Sequence, residues 1–250
     1  MNTVQTPPAI FILVSGAWHA GWCWERVKPL LEARGHVVLA PDLLGMGDDH
    51  TPLADVTLER WADQVAELVQ AQPDRVILVG HSRGGIVISE TAERVPDHIR
   101  SLVYVAAFLL ADKDNLMALA LRARDPQAPP RTHVQPRPDG STILRPDAVG
   151  PVFYNTTDPQ WVARAAALAG PEPAGILTTP VHLTPEGFGR VRRAYVEALQ
   201  DQAVPIAMQR LMQAALPCEP VIALETDHSP FYSDPEALAD ALEQVARAAT

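Results

Sequence analysis

Two cysteines in 250 residues, Cys23 and Cys218, stand far apart and in no metal-ligand spacing. Neither a disulfide framework nor a thiolate metal cluster is available, and both are expected to be small buried residues in a reducing compartment. Positive charge is scarce as well: 20 Lys and Arg against 30 Asp and Glu leave a formal charge of -10. That balance lacks the cationic footprint needed to bind phosphate backbones or anionic lipid, so no nucleic acid and no membrane surface is an expected partner. No run approaches the roughly 18 apolar residues of a spanning helix. The longest, Ser101 to Ala111, is bracketed by Arg100 and Asp112. The early run "AIFILV" has neither a basic stretch before it nor a small-residue cleavage pattern after it, which reads as a cytoplasmic protein rather than a secreted one. A G-x-G-x-x-G after a strand and a P-loop are also missing; Gly45-Met46-Gly47 lacks a third glycine and reads as a turn. No cofactor and no metal is expected.

What is present is an ordinary globular balance, 47% hydrophobic and 20% charged, in a chain long enough for one sizeable α/β domain. Six short apolar runs recur: "AIFILV" (9–14), "HVVLA" (36–40), "RVILV" (75–79), "SLVYVAA" (101–107), "RAYVEAL" (193–199) and "PVIAL" (220–224). They are nearly continuous rather than alternating, as in strands covered on both faces, and predict a mainly parallel sheet of about six strands flanked by helices. Helices are expected over Trp24 to Arg34, ended by Gly35; over Thr57 to Gln70, with Leu58, Trp61, Val65, Leu68 and Val69 on one stripe; and after "SDPEA" at the end of the chain. Between Leu110 and Arg190 this rhythm fails, in a proline-rich stretch with a hairpin turn at Asp139-Gly140 and a helical run at "PQWVARAAALA". Such a length exceeds a plain connection. Residues 1–109 and 191–250 are therefore read as the core, and 110–190 as an inserted cap whose Leu116, Met117, Phe153, Tyr154, Trp161 and Phe188 pack it onto the core or wall a pocket.

The candidate chemistry starts at "RVILVGHSRGG". A serine hemmed in by glycines between an apolar strand and a helix can occupy a very tight turn at the carboxyl edge of the sheet, where open α/β sheets place their ligands. An alcohol needs a base and an orienting acid to act as a nucleophile. In "ETDHSPFYSDP", His228 lies in a loop between a late strand and the last helix and is the candidate base. The other histidines considered read differently: His36 and His98 as structural, His50, His133 and His182 as solvated loop residues. Asp201, just after "RAYVEAL", is the first candidate acid, with Asp112 and Asp114 after "SLVYVAAFL" as the alternative; Asp227 reads as a solvated carboxylate, because adjacent side chains diverge. An oxyanion needs preorganised donors. The amide of Arg83, at a helix N-terminus, is one candidate, and Ala17 in the loop "SGAWHAGWCW" supplies the other, with Trp18 and His19 beside it.

These residues resemble the α/β-hydrolase superfamily, in particular its branch of small esterases and hydroxynitrile lyases, which includes plant methyl esterases and bacterial carboxylesterases. The resemblance rests on four ordered segments covering nearly the whole chain: "GAWHAGWCWERVKPLLEARGHVVLAPDLLGMG", "VILVGHSRGG", "AYVEALQDQAVP" and "DHSPFYSDPEALA". It implies an α/β-hydrolase fold, Ser82 as nucleophile, Asp201 as acid, His228 as base, and the amides of Ala17 and Arg83 as oxyanion donors. Two positions depart from the pattern. Ser15 stands where many relatives have histidine, and Ser229 follows the candidate base where the lyases have lysine, which points away from cyanohydrin cleavage. The expected function is a serine carboxylesterase acting on a small uncharged alkyl or aryl ester, with Trp18, His19 and Trp161 bordering the substrate. A lactonase, acyl transferase or lyase at the same site, or a small-molecule receptor on an esterase frame, is the alternative; a homodimer is the expectation from base rates alone.

Overall fold

The computed structural model describes residues 8–122 and 133–248. Its elements run β1 (Ile10–Val14), α1 (Lys28–Ala33), β2 (Val37–Leu39), α2 (Leu58–Gln70), β3 (Val76–His81), α3 (Gly84–Arg94) and β4 (Ile99–Val105). A second stretch follows: α4 (Leu116–Arg122), β5 (Val134–Pro136), β6 (Ser141–Leu144), α5 (Pro146–Phe153), α6 (Pro159–Leu168) and β7 (Glu172–Pro173). The chain then returns through β8 (Arg193–Ala198), α7 (Ile206–Ala215), β9 (Val221–Leu224), α8 (Pro230–Ser233) and α9 (Pro235–Ala248). Six strands form one sheet in the order β2-β1-β3-β4-β8-β9, every neighbouring pair parallel.

Why the six runs are apolar on consecutive residues is visible in the core. In β1, Ile10, Ile12 and Val14 join Leu58, Trp61, Val65, Ile86 and Val87 of α2 and α3 on one face. Phe11 and Leu13 join Ile77, Val79, Val103 and Val105, with Leu238, Leu242 and Val245 of α9, on the other. Alternate side chains point to opposite faces of a strand, so a sheet with helices on both sides needs both sets to be apolar. Of the α2 stripe, Leu58, Trp61, Val65 and Val69 are buried and Leu68 is half-buried, and the Thr57 hydroxyl caps the helix by accepting from the Arg60 amide, 3.2 Å.

The helix expected over Trp24 to Arg34 is shorter than the sequence suggested. Residues Gly21–Trp24 form a 3-10 turn and the α-helix starts only at Lys28, with Pro29 in its first turn. Proline is favoured there because the missing N–H would be unpaired anyway. Gly35 ends it at φ +91, as the left-handed cap needs.

The second stretch carries its own three-stranded antiparallel sheet, β5-β6-β7. Asp139-Gly140 makes the β5–β6 turn, Gly140 at φ +80, with the Asp139 carboxylate accepting from the Ser141 amide and hydroxyl. The parallel sheet fixes where chemistry can occur. After β1 the chain turns to β2 on one side, then recrosses to β3 on the other, so the loops after β1 and β3 part at the crevice where such sheets bind ligands.

Candidate active site

Ser82 follows β3 with φ at 51, a left-handed conformation that costs a non-glycine residue energy and marks a strained turn. Glycine surrounds it by necessity. A Cβ on Gly80 would lie 2.7 Å from the Gly84 carbonyl oxygen, one on Gly84 2.8 Å from the oxygens of Val14 and Ser15, and one on Gly85 2.2 Å from that of Phe108. The Ser82 carbonyl accepts from the Gly85 and Phe108 amides, each 3.0 Å, and its own amide donates to Val105, 3.2 Å. The strain is thus held by a fully bonded backbone, and the residue is buried, 8% exposed.

The loop after β8 and the loop after β9 meet, and His81, the residue before Ser82, ties the second of them to the serine turn. His228 Nδ1 lies 2.7 Å from Asp201 Oδ2, both side chains buried. Asp201 Oδ1 accepts from the Ala203 and Val204 amides at 2.7 and 2.8 Å, and Oδ2 receives a longer contact from Gln209 Nε2, 3.4 Å. With its carboxylate so fixed, Asp201 places the Nδ1 proton and leaves Nε2 as the basic nitrogen. Neither Asp112 nor Asp114 takes part. Asp112 accepts from the Leu183 amide, 3.0 Å, and Asp114 pairs with Arg122, so both brace the segments after β4.

Three buried groups near the serine had no clear mark in the sequence. His81, immediately before Ser82, donates from Nε2 to the His228 carbonyl, 2.8 Å, and its ring lies 4.7 Å from the His228 ring. Burial holds its pKa well below the usual histidine value, so it remains neutral. Asp227 is not solvated. It is fully buried, accepting from the Thr156 amide and Thr157 hydroxyl on one oxygen and from the Ser229 amide on the other, at 2.8 to 2.9 Å. The adjacent side chains do diverge, but Asp227 diverges inward, toward the residues after α5. Glu172, from β7, is fully buried against Arg83: Arg83 Nε donates to Glu172 Oε1, 2.9 Å, and the guanidinium lies 4.2 Å from the centre of the Trp61 ring. Desolvation pushes the Glu172 carboxyl pKa up and that of Arg83 down, against their mutual attraction.

The loop after β1 folds against the serine. A Cβ on Gly16 would meet Ser82 Cβ at 2.9 Å and His81 Nδ1 at 2.8 Å, so only glycine permits this approach. Ser15, in the position noted above, is buried and donates to the His19 carbonyl, 3.1 Å. His19 is held neutral, its pKa lowered to about 4 by burial. Since a carbonyl cannot donate, His19 Nδ1 carries the proton and gives it to the Ala17 oxygen, 2.7 Å, while Nε2 accepts from the Tyr154 hydroxyl, 2.5 Å. No hydrogen-bond acceptor for the amides of Ala17 or Arg83 is found among the described residues.

The residues singled out as bordering a substrate part company. Trp18 is buried, its indole N–H donating to the Thr142 carbonyl, 3.2 Å, and its ring edge-on to Phe153, which in turn meets the His228 ring at 5.5 Å. His19 stacks on Trp22 at 5.1 Å. Trp161 contacts the Tyr232 ring at 5.0 Å under the Arg26 guanidinium, and its ring does not meet that of His228. His133 is not merely solvated; its ring packs 5.6 Å from Phe153. Cys23 is buried and Cys218 half-buried, both unpaired, and no grouping of His, Cys, Asp and Glu able to hold a metal occurs among the described residues. No described helix is long and apolar enough to cross a membrane.

A six-stranded parallel sheet flanked by helices, with a strained serine turn after β3 and a carboxylate-held histidine after the last strand, is the architecture of α/β hydrolases. The model of the alpha/beta hydrolase family matches residues 11–241, and the chain belongs to that family. It is 33% identical over 249 residues to a pyrethroid hydrolase of Sphingobium wenxiniae, covering 95% of this chain and 87% of that one. It is 31% identical over 245 residues to methylesterase 1 of Arabidopsis thaliana, covering 92% and 93%. A crystal structure of a pyrethroid hydrolase superposes with a TM-score of 0.84 at 33% identity, over 97% of this chain and 98% of that one. Membership of a hydrolase family and esterase-named relatives support an ester-hydrolysing enzyme.

Proposed function

We propose that the protein is a serine carboxylesterase hydrolysing small uncharged alkyl or aryl esters, with residues 110–190 as a cap over the site. His228 Nε2 takes the Ser82 hydroxyl proton as the serine oxygen attacks the ester carbonyl. The resulting oxyanion is received by the amides of Ala17 and Arg83. Collapse of this intermediate breaks the bond to the alcohol, which leaves with the proton from His228, and an acyl-serine remains. Water, deprotonated by His228, attacks the acyl group by the same route and releases the carboxylic acid. Asp201 stabilises the imidazolium formed in each half. The observation that carries this reading is the buried 2.7 Å contact between His228 Nδ1 and Asp201 Oδ2, with the His228 carbonyl tied to the strained serine turn by His81, the residue before Ser82. The names of the relatives, methylesterase and pyrethroid hydrolase, support carboxylic esters as the substrate class and make methyl and pyrethroid esters the first to try.

The test is p-nitrophenol release from acetyl and butyryl esters by the wild type and Ser82→Ala, with phenylmethylsulfonyl fluoride as probe and mass spectrometry to locate it. Turnover should fall by about 10⁴-fold or more in the variant, and the probe should attach at Ser82. Folded protein that neither turns over such esters nor takes up the probe overturns the proposal and directs attention to ligand binding.

A further inference from the structure

The loop after β1 contains two consecutive peptide units on either side of the Ala17 Cα, with four polar groups between them. Three are gripped by buried side chains. The Gly16 carbonyl accepts from Arg83 Nη2, 2.9 Å, and more weakly from the His19 amide, 3.3 Å. The Ala17 carbonyl accepts from His19 Nδ1, 2.7 Å, and the Trp18 amide donates to Glu172 Oε2, 3.1 Å. Only the Ala17 N–H has no partner among the described residues. Trp18, at φ 62, holds the turn that brings its own amide round to Glu172.

We propose that the Arg83–Glu172 pair is a positioning device for the oxyanion hole, aiming the Ala17 N–H at the reacting carbonyl and thereby making β7 part of the catalytic apparatus. This rests on the esterase reading. A trans peptide is planar, with its C=O and N–H pointing in opposite directions. Anchoring the Gly16 oxygen on a guanidinium therefore fixes the direction of the Ala17 N–H, and a cation on the carbonyl polarises the amide and strengthens it as a donor. Glu172 contributes twice, orienting Arg83 through Nε and holding the Trp18 amide, so that neither peptide can rotate. The pair also joins the two donors, since the residue whose side chain aims Ala17 supplies the other amide from its own backbone. Groups that need no reorganisation when charge develops are what an oxyanion site requires.

A structural role alone would affect folding and leave the folded protein active. The decisive comparison uses the wild type, Glu172→Gln and the double variant Arg83→Met/Glu172→Met. Concentrations of competent sites are set by phosphonofluoridate titration, and folding is measured by urea denaturation. Removing both ends of a buried ion pair is often harmless to stability, whereas removing one is not, so the double variant should fold at least as well as Glu172→Gln. Both should lose kcat for p-nitrophenyl butyrate by about 10- to 100-fold, less than deletion of an oxyanion donor outright, with KM little changed. Affinity for a trifluoromethyl ketone, which forms an oxyanion on Ser82, should fall in parallel with kcat. If the stably folded double variant keeps wild-type kcat and trifluoromethyl ketone affinity, the positioning role is wrong. A wild type that cannot be titrated and does not turn over esters sinks the esterase reading instead, and this proposal with it.

Discussion

Asp201 and Glu172 are both enclosed carboxylates, each accepting from a cationic or basic side chain and from at least one backbone amide, yet they stand in different parts of the chain. Asp201 belongs to the loop after β8 of the parallel sheet and faces His228, a group that must accept and release a proton in the proposed cycle. Glu172 belongs to β7 of the small antiparallel sheet and faces Arg83, a group that keeps its charge throughout. On the proposed mechanism, similar local chemistry would serve opposite ends of the reaction: one carboxylate steadying charge that appears and disappears, the other fixing charge that never changes. The contrast teaches that a buried carboxylate is interpreted by its partner rather than by its burial.

The largest expected effect tests the Asp201 side. Asp201→Asn keeps the shape but cannot hold the same imidazole tautomer or balance its charge, and kcat should drop by about 10³- to 10⁴-fold. Retention of most activity by this variant would mean that another group serves as the acid and would end the contrast. A smaller effect separates the two histidine environments. His19, which joins Glu172 in gripping the Ala17 peptides, has its pKa lowered from 6.5 to about 4 by burial. As pH falls from 6.5 through 4, the unfolded chain gains a proton there that the folded protein refuses, so folded stability drops, by roughly 3 kcal/mol once both values are passed. His81 acts in the same direction. Unfolding free energies of His19→Gln, measured in urea from pH 7 to 4, should therefore fall less steeply than those of the wild type without becoming flat; equal slopes would place the pH sensitivity elsewhere. The smallest effect concerns the third enclosed carboxylate. Asp227→Ala removes the acceptor for the Thr156 and Ser229 amides, and chemical denaturation should show a loss of about 2 kcal/mol. With neither a proton-carrying nor an oxyanion-directing partner, it should leave kcat within about threefold on the folded enzyme, a modest change beside the catalytic effects. A collapse of kcat would make Asp227 more than a clasp.

How much of this the sequence discloses follows from the range of each interaction. The six strands announce themselves because a sheet covered on both faces needs continuous apolar runs, and Ser82 because its turn needs glycine at neighbouring positions. His228 and Asp201 are suggested by their places just after late strands. Glu172 is not, since its partner lies 89 positions earlier and its own surroundings, "GPEPAG", show only a proline-rich break. His81 is hidden by the motif it belongs to: the eye goes to the serine, while the residue before it turns inward to support His228 from behind. Asp227 is misread because adjacency to His228 says that the two side chains separate but not which goes to water. The helix before Gly35 starts late because Gly21–Trp24 winds as a 3-10 turn that buries Cys23 and Trp24, and the regular helix opens only where Pro29 can sit in its first turn.

Because Glu172 arrives on β7, the proposed cap would not be an interchangeable accessory. One way to seek a new specificity would be to graft another protein's segment onto this core in place of the proposed cap. Here such a transplant would remove the counter-charge of an arginine whose side chain is wholly enclosed, leaving it only the Gly16 carbonyl and the face of Trp61. A successful chimera would have to bring its own carboxylate to that spot or exchange the arginine as well, so the unit of exchange would be the proposed cap together with the serine turn that carries Arg83.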